Sequence, residues 1–177
     1  SAAQTGGMRY IRFVHDSNCV INVKEVTVTA SGDDDFWSLT GQLWDLGYHD
    51  ANRKYLVFLD NDNEDFCGQA DVYHDDSPGQ GNANNTTYGF AVIYSGCWSS
   101  RVTISHELGH NFGAVQASAP HSSKWDHCYD EWDVMCYDDG SPYALTFPCA
   151  DEEQNLYLDC NKDDYYNTNP AAGSYLA

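Results

Sequence analysis

Hydrophobic residues recur along this chain with two different periods, and the changes of period predict the order of strands and helices. Residues 8–14 and 23–29 are rich in β-branched and aromatic side chains, which predicts two strands. The period then becomes that of an amphipathic helix, which would begin after the acidic run 33–35 and end at Gly47. The buried stripe of this helix would consist of Phe36, Leu39, Leu43 and Leu46.

The middle of the chain predicts shorter strands and a second helix. Residues 55–59 are continuously apolar, as in strands buried on both faces. A weaker strand is predicted at 71–74, and a further strand at 88–94 follows the Gly- and Asn-rich loop 77–87. Residues 101–105 contain no Gly or Pro and lead into a predicted helix.

This second helix carries the most informative motif, His-Glu-Leu-Gly-His at 106–110. On a helix, His106 and His110 lie one turn apart on the same face, where both imidazoles can bind one zinc ion. Glu107 would lie beside the metal, where a carboxylate can accept a proton from an activated water and pass it to a leaving amine. The motif therefore predicts peptide-bond hydrolysis. Because the motif is short, an amphipathic helix with two partly buried histidines is the structural alternative.

Two features downstream extend the motif. Gly113 can turn the chain in a left-handed conformation, and Met135 lies in the run Asp-Val-Met-Cys-Tyr. With them, the chain resembles the metzincin clan of zinc endopeptidases, and the run 159–166 is similar to the tail of small secreted bacterial proteases of this clan. In that clan the zinc helix ends at the glycine, a third ligand follows, and a methionine turn lies beneath the metal. The resemblance assigns that methionine to Met135.

The third ligand is where the chain departs from the metzincin pattern. The pattern expects it three residues after the glycine, at Gln116, whose neutral amide oxygen is a weaker zinc ligand than imidazole. His121, followed by two serines, resembles the third-ligand region of matrixin-type metzincins and would reach the metal if 116–120 formed an inserted bulge. We therefore expect His121 as third ligand, with Gln116 and His127 as alternatives.

Tyr137 is a further catalytic candidate. In the astacin and serralysin branches a tyrosine two residues after the methionine reaches towards the zinc, so the resemblance implies that Tyr137 stabilises the oxyanion. Ordinary packing near a turn is the alternative, since the chain contains 13 tyrosines.

The resemblance also implies an α/β (α+β) fold. One catalytic domain over 1–177 would consist of an upper lobe, about 1–113, and an irregular lower lobe, about 114–177, held by disulfides. The upper lobe would be a twisted mixed sheet carrying two helices, and the cleft would lie between the lobes. An exposed edge strand at 68–73 is expected to bind an extended peptide through main-chain hydrogen bonds.

Seven cysteines without paired C-x-x-C spacing predict disulfides, and therefore an oxidising, extracellular compartment. The preferred bridge is Cys67–Cys97, and Cys19 is expected to remain unpaired. Two more bridges are expected among Cys128, Cys136, Cys149 and Cys160. Residues 1–7 lack the charged and apolar regions of a signal peptide, so a mature, processed form is expected.

The formal net charge of −19 argues against nucleic acid and anionic membranes as partners, because both carry phosphate. No apolar run approaches the roughly 18 residues of a membrane span. The acidic runs 60–65 and 159–164 offer the oxygen ligands that calcium prefers, although neither has EF-hand spacing. Ca²⁺ is therefore a candidate ion in addition to one catalytic Zn²⁺.

These patterns together predict a secreted, monomeric zinc endopeptidase that acts on protein or peptide substrates. Its zinc ligands would be His106, His110 and His121, with Glu107 as the general base. One alternative, motivated by Gln116, is a non-catalytic metal-dependent extracellular binding module on a protease frame. Another is a disulfide-stapled structural protein without metal. Glu107 favours the enzyme, because a carboxylate beside the metal has little structural use.

Overall fold

The computed structural model describes residues 13–29, 35–61, 65–149 and 158–177. In chain order the elements are α1 (Phe36–Asp45), β1 (Lys54–Leu59), β2 (Gly68–Ala70), α2 (Ala83–Thr86), β3 (Gly89–Tyr94), a 3-10 turn (Ser95–Cys97) and α3 (Arg101–Asn111). The fold is mixed α+β, with a small mixed sheet, as predicted.

Helix α1 confirms the amphipathic pattern. The Asp35 side chain caps its N-terminus by accepting a hydrogen bond from the Ser38 backbone N–H at 2.9 Å, and Gly47, with φ +94°, follows its C-terminus. The buried residues of the helix are Phe36, Leu39, Thr40 and Leu43. Leu46, which the pattern placed on the same stripe, is the C-cap and is 58% exposed. Residues 33 and 34 of the acidic run lie outside the described residues.

Strand β3 lies at the centre of the sheet, and all six of its residues are buried. It pairs in parallel with β1 and antiparallel with β2. Its side chains pack with those of α1 in the first core cluster: Phe36, Leu39, Leu43, Leu59, Phe90, Val92 and Tyr94. Strand β2 has a partner on one side only among the described strands, so it forms an edge of this sheet.

Two strand predictions are wrong. Residues 23–29 form no strand, although Val26 and Val28 pack against the first core cluster. The strand predicted at 71–74 is found instead at Gly68–Ala70. It ends there because the Asp71 side chain accepts the Phe90 N–H at 2.8 Å, in place of a main-chain partner. Of the strand predicted at 8–14, residues 8–12 lie outside the described residues.

The predicted disulfide framework is confirmed. Cys67 is bonded to Cys97, and the other two bridges are Cys128–Cys136 and Cys149–Cys160. Cys19 is unpaired and exposed. A second core cluster forms around the Cys128–Cys136 bridge from Ala114, Val115, Ala119, Val134 and Met135. None of the helices in the described segments has the length and hydrophobicity needed to cross a bilayer.

Helix α3 is fixed on the sheet by Asn111. Its fully buried amide donates hydrogen bonds to the Asp71 and Phe90 carbonyl oxygens, both at 2.9 Å. The close approach requires Gly89, because a Cβ there would lie 3.2 Å from the Asn111 side chain. Ser100 caps the N-terminus of α3 by accepting the Thr103 N–H at 3.1 Å. The direction of the motif helix is therefore set at both ends.

Candidate active site

Three histidine rings converge at the C-terminal half of α3. The Nε2 atoms of His106 and His110 lie 3.1 Å apart, as expected for ligands one helical turn apart. The ring of His127, from the following loop, lies 5.2 Å from that of His106 and 5.0 Å from that of His110, measured between centroids. One nitrogen from each ring falls within 4.8 Å of the other two.

Two of these rings are oriented by acceptors behind them. Nδ1 of His106 donates to the Val134 carbonyl oxygen at 2.7 Å, and Nδ1 of His127 donates to the Asp139 carboxylate at 3.2 Å. Asp139 is itself held by the Ser123 hydroxyl at 2.5 Å. Both rings therefore have Nε2 free of its proton and facing the cluster, the arrangement in which histidines bind metals.

Burial keeps these imidazoles neutral. It lowers the pKa of His106 to about 4, moves the pKa of His110 well below its usual value, and lowers the pKa of His127. Since a ligating imidazole must be unprotonated, the low pKa values favour metal binding.

The cluster fits a zinc ion in both chemistry and spacing. Zinc–nitrogen bonds of about 2.0–2.1 Å in tetrahedral geometry place ligand nitrogens roughly 3.3–3.4 Å apart. The separation of 3.1 Å between His106 Nε2 and His110 Nε2 is close to this value. Three neutral imidazole nitrogens, two of them on rings oriented by acceptors, match the ligand set of catalytic zinc sites, which keep a fourth position open.

Glu107 lies beside the cluster and against the edge strand. Its side chain is 6% exposed, and burial raises its pKa to about 8. It fits only because position 68 is glycine: a Cβ on Gly68 would lie 2.8 Å from Glu107 Oε1 and 2.9 Å from the Val92 carbonyl oxygen. The general-base candidate and the edge strand are thus in direct contact.

A cavity of about 250 Å³ joins these groups. Its lining includes the three histidines, Glu107, Tyr137, all of β2, and the side chains of Phe66, Val72, Trp125 and Asp126. The ring of Tyr137 lies 4.5 Å from that of His127 and is 43% exposed, so the predicted catalytic tyrosine is at the site. A polar centre therefore lies beside a partly aromatic cleft and a strand edge.

Met135 lies beneath the motif helix. It is fully buried, and a Cβ on Gly109 would lie 2.5 Å from its sulfur. The preceding residue, Val134, supplies the carbonyl that orients His106. The segment around Met135 therefore packs against the motif helix and orients one of its histidines.

The structure brings neither His121 nor Gln116 to the histidine pair. Nδ1 of His121 contacts the Asp164 carboxylate at 3.0 Å, in a separate cluster. The Gln116 amide donates to the Tyr73 and Gly113 carbonyl oxygens, at 3.0 and 2.9 Å, so it closes the turn after α3. His127, one of the two alternatives from the sequence, lies with the histidine pair instead.

The Cys128–Cys136 bridge links the His127 loop to the segment around Met135. It joins the residue after His127 to the residue after Met135, and backbone hydrogen bonds link Cys128 to Met135 and Tyr137. The bridge therefore carries His127 to the same end of α3 as the methionine. Sequence spacing alone leaves several cysteine pairings open, so this signal could not be read before the fold. For the same reason, the sequence did not indicate that Asp139 orients His127.

Comparison with known protein families gives one finding. The model of metallo-peptidase family M12 matches residues 11–147, which include the three converging histidines, Glu107 and Tyr137. Comparisons with curated proteins and with solved structures give no significant match.

Proposed function

Because the chain belongs to metallo-peptidase family M12, we propose that it is a secreted zinc endopeptidase of the metzincin type with His106, His110 and His127 as the zinc ligands. The observation that carries this proposal is the convergence of three neutral imidazoles, two of them oriented by acceptors, with a buried carboxylate in one cavity. His127 replaces His121 in the ligand set because its ring lies against both motif histidines.

A zinc ion bound there would polarise the scissile carbonyl and lower the pKa of a water molecule from 15.7 to about 7. Glu107 accepts the proton of the attacking water and transfers it to the nitrogen of the leaving amine. Burial raises the pKa of Glu107, which makes its carboxylate a stronger base. A zinc ion beside this carboxylate would favour the ionised form that accepts the proton. Glu107 therefore acts as base in the first half of the reaction and as acid in the second.

The Tyr137 hydroxyl donates a hydrogen bond to the carbonyl oxygen on which negative charge develops. This role is supported by the contact of its ring with His127 and by its place in the same cavity as Glu107. A donor already in position at the transition state lowers the barrier without reorganisation.

The substrate binds as an extended peptide along β2. This strand lines the cavity, pairs on one side with β3, and touches the general base through Gly68. Main-chain hydrogen bonds to such an edge position a peptide of any sequence, while neighbouring pockets select side chains. We propose that β2 is the peptide-binding edge strand that the sequence predicted at 68–73.

Secretion and the monomeric state are part of the same proposal. Three disulfides favour an oxidising compartment, and the net charge of −19 favours solubility outside the cell. The alternative of a non-catalytic binding module rested on Gln116 at the expected ligand position. This alternative is less well supported, because Gln116 has a structural role and His127 lies in the histidine cluster.

The test is the substitution Glu107→Gln, which keeps the side-chain shape and removes the base. Hydrolysis of an unfolded protein such as casein should fall by about 10²–10⁴-fold, the usual contribution of a positioned acid–base group. Bound zinc should stay at the wild-type level in elemental analysis. The matched control is Glu25→Gln at an exposed position, which should leave hydrolysis unchanged. Cleavage by Glu107→Gln at near wild-type rate would refute the mechanism.

A further inference from the structure

A second cluster of ligating side chains lies apart from the three zinc-site histidines. It consists of His121, Asp130, Asp163 and Asp164, and one ligand atom from each lies within 4.8 Å of the others. The side chains of Asp130 and Asp164 are 2% and 0% exposed, whereas that of Asp163 is 41% exposed. The cluster is therefore a buried acidic site with one side open to solvent.

Two oxygens of this cluster have no hydrogen-bond partner among the described residues. They are Asp130 Oδ2 and Asp163 Oδ1, both inaccessible to water. Asp130 Oδ2 points into the cluster, at 3.4 Å from His121 Nδ1. A neighbouring buried carboxylate is different: Asp159 Oδ2 accepts the backbone N–H groups of Asp164, Tyr165 and Tyr166. Leaving a buried acceptor unsatisfied is costly, so the orphaned Asp130 Oδ2, which faces the cluster, indicates a missing ligand.

The charge of the cluster points the same way. Three carboxylates face one another, and the His121 ring is the only basic group in the ion pairs described for them. Burial and the neighbouring Asp164 raise the pKa of Asp130 to about 8, because a buried site and a nearby carboxylate both disfavour its ionised form. A divalent cation among the three carboxylates would relieve their mutual repulsion.

We propose that His121, Asp130, Asp163 and Asp164 bind a second divalent cation, of the class of Zn²⁺ and Mn²⁺. One imidazole nitrogen with several carboxylate oxygens suits these ions, whereas Ca²⁺ prefers oxygen ligands throughout. The His121 backbone N–H donates to Asp164 Oδ1 at 2.7 Å, which leaves Asp164 Oδ2 facing the ring. When the cation binds, the proton between His121 Nδ1 and Asp164 Oδ2 is released to solvent.

This cation would brace the loop that carries the third zinc ligand. His121 and Asp130 flank His127 in sequence, and the Tyr129 N–H donates to the His121 carbonyl oxygen at 3.1 Å. Asp163 and Asp164 belong to the acidic run 159–164, for which calcium was a candidate. The ion would therefore tie the C-terminal segment to both ends of the His127 loop.

Metal stoichiometry of the full chain tests this proposal. After removal of bound metal and reloading with Zn²⁺, elemental analysis should find two equivalents per wild-type chain. His121→Ala and Asp163→Asn should each bind one, and both should lose the rise in unfolding temperature that accompanies the second equivalent. Asp163 is partly exposed, so its amide variant should fold even if His121→Ala does not. Asp45→Asn, on the exposed face of α1, is the charge-matched control and should bind two.

The two metal sites are distinguished by His106→Ala, which should lose the other equivalent and keep the one described here. A wild-type chain that binds a single equivalent retained in His121→Ala would overturn the second site but not the peptidase. Two equivalents retained in both His121→Ala and Asp163→Asn would overturn the ligand set. So would preferential binding of Ca²⁺ that His121→Ala leaves unchanged.

Discussion

Substitution of Gly109 by alanine tests the packing beneath the active site. In an open helical position this change stabilises a protein by about 1 kcal/mol, because alanine has the higher helix propensity. At Gly109 the new Cβ would lie 2.5 Å from the Met135 sulfur, about 1 Å inside the usual contact distance of roughly 3.5–4.0 Å. Met135 is fully buried and packed in the second core cluster, so either α3 or the methionine segment must move.

Overpacking of this kind costs about 1–3 kcal/mol, which equals or exceeds the gain in helix propensity. Gly41 of α1 is the matched control, because a Cβ there has nothing within 4 Å. We expect Gly41→Ala to raise the free energy of unfolding by about 1 kcal/mol. The free energy of unfolding of Gly109→Ala should be about 1–3 kcal/mol lower than that of Gly41→Ala. Urea denaturation at fixed zinc concentration measures both values.

The same displacement should reach the metal site. Val134 orients His106, so a shift between α3 and this segment should also weaken zinc binding in Gly109→Ala but not in Gly41→Ala. Equal stabilisation by the two substitutions, with unchanged zinc affinity, would refute the assignment of Met135 as a tight support beneath the helix.

Three further predictions concern the site and its framework. Asp139→Asn should lower zinc affinity by about 10–100-fold in a chelator competition, because it weakens the acceptor behind the third imidazole; unchanged affinity would contradict this role. Tyr137→Phe should lower kcat by about 10²-fold with little change in KM if its hydroxyl acts only at the transition state, whereas a change in KM alone would indicate substrate contact. Replacing Cys128 and Cys136 together by serine should cost about 2–3 kcal/mol of stability for their short loop, and Cys19→Ser should cost nothing measurable by thermal unfolding.

Local sequence patterns were sufficient to predict most of the helices and strands that precede and form the motif helix. The residue pattern along the chain is enough to predict the buried stripe of α1, the apolar strands β1 and β3, and the motif helix. Residues 23–29 show the limit of this reasoning. Val26 and Val28 pack against the core, yet a strand also needs a partner, which the local pattern does not contain.

The candidate site divides in the same way. His106, Glu107 and His110 follow from helical periodicity, so they could be predicted from the motif. The third histidine depends on how a long irregular loop returns to the helix, and that path is set by the Cys128–Cys136 bridge. His121 was favoured by the residues around it, but Asp164, distant in sequence, holds its ring elsewhere.

The measurement that tests the central claim most directly is anomalous scattering at the zinc edge from crystals of the zinc-loaded protein. The account predicts a metal peak about 2.0–2.1 Å from one ring nitrogen each of His106, His110 and His127, with Glu107 beside it. A peak coordinated by His121 or by the Gln116 amide in place of His127 would contradict the ligand set. The absence of any zinc peak at the two motif histidines would contradict the assignment of a catalytic metal centre.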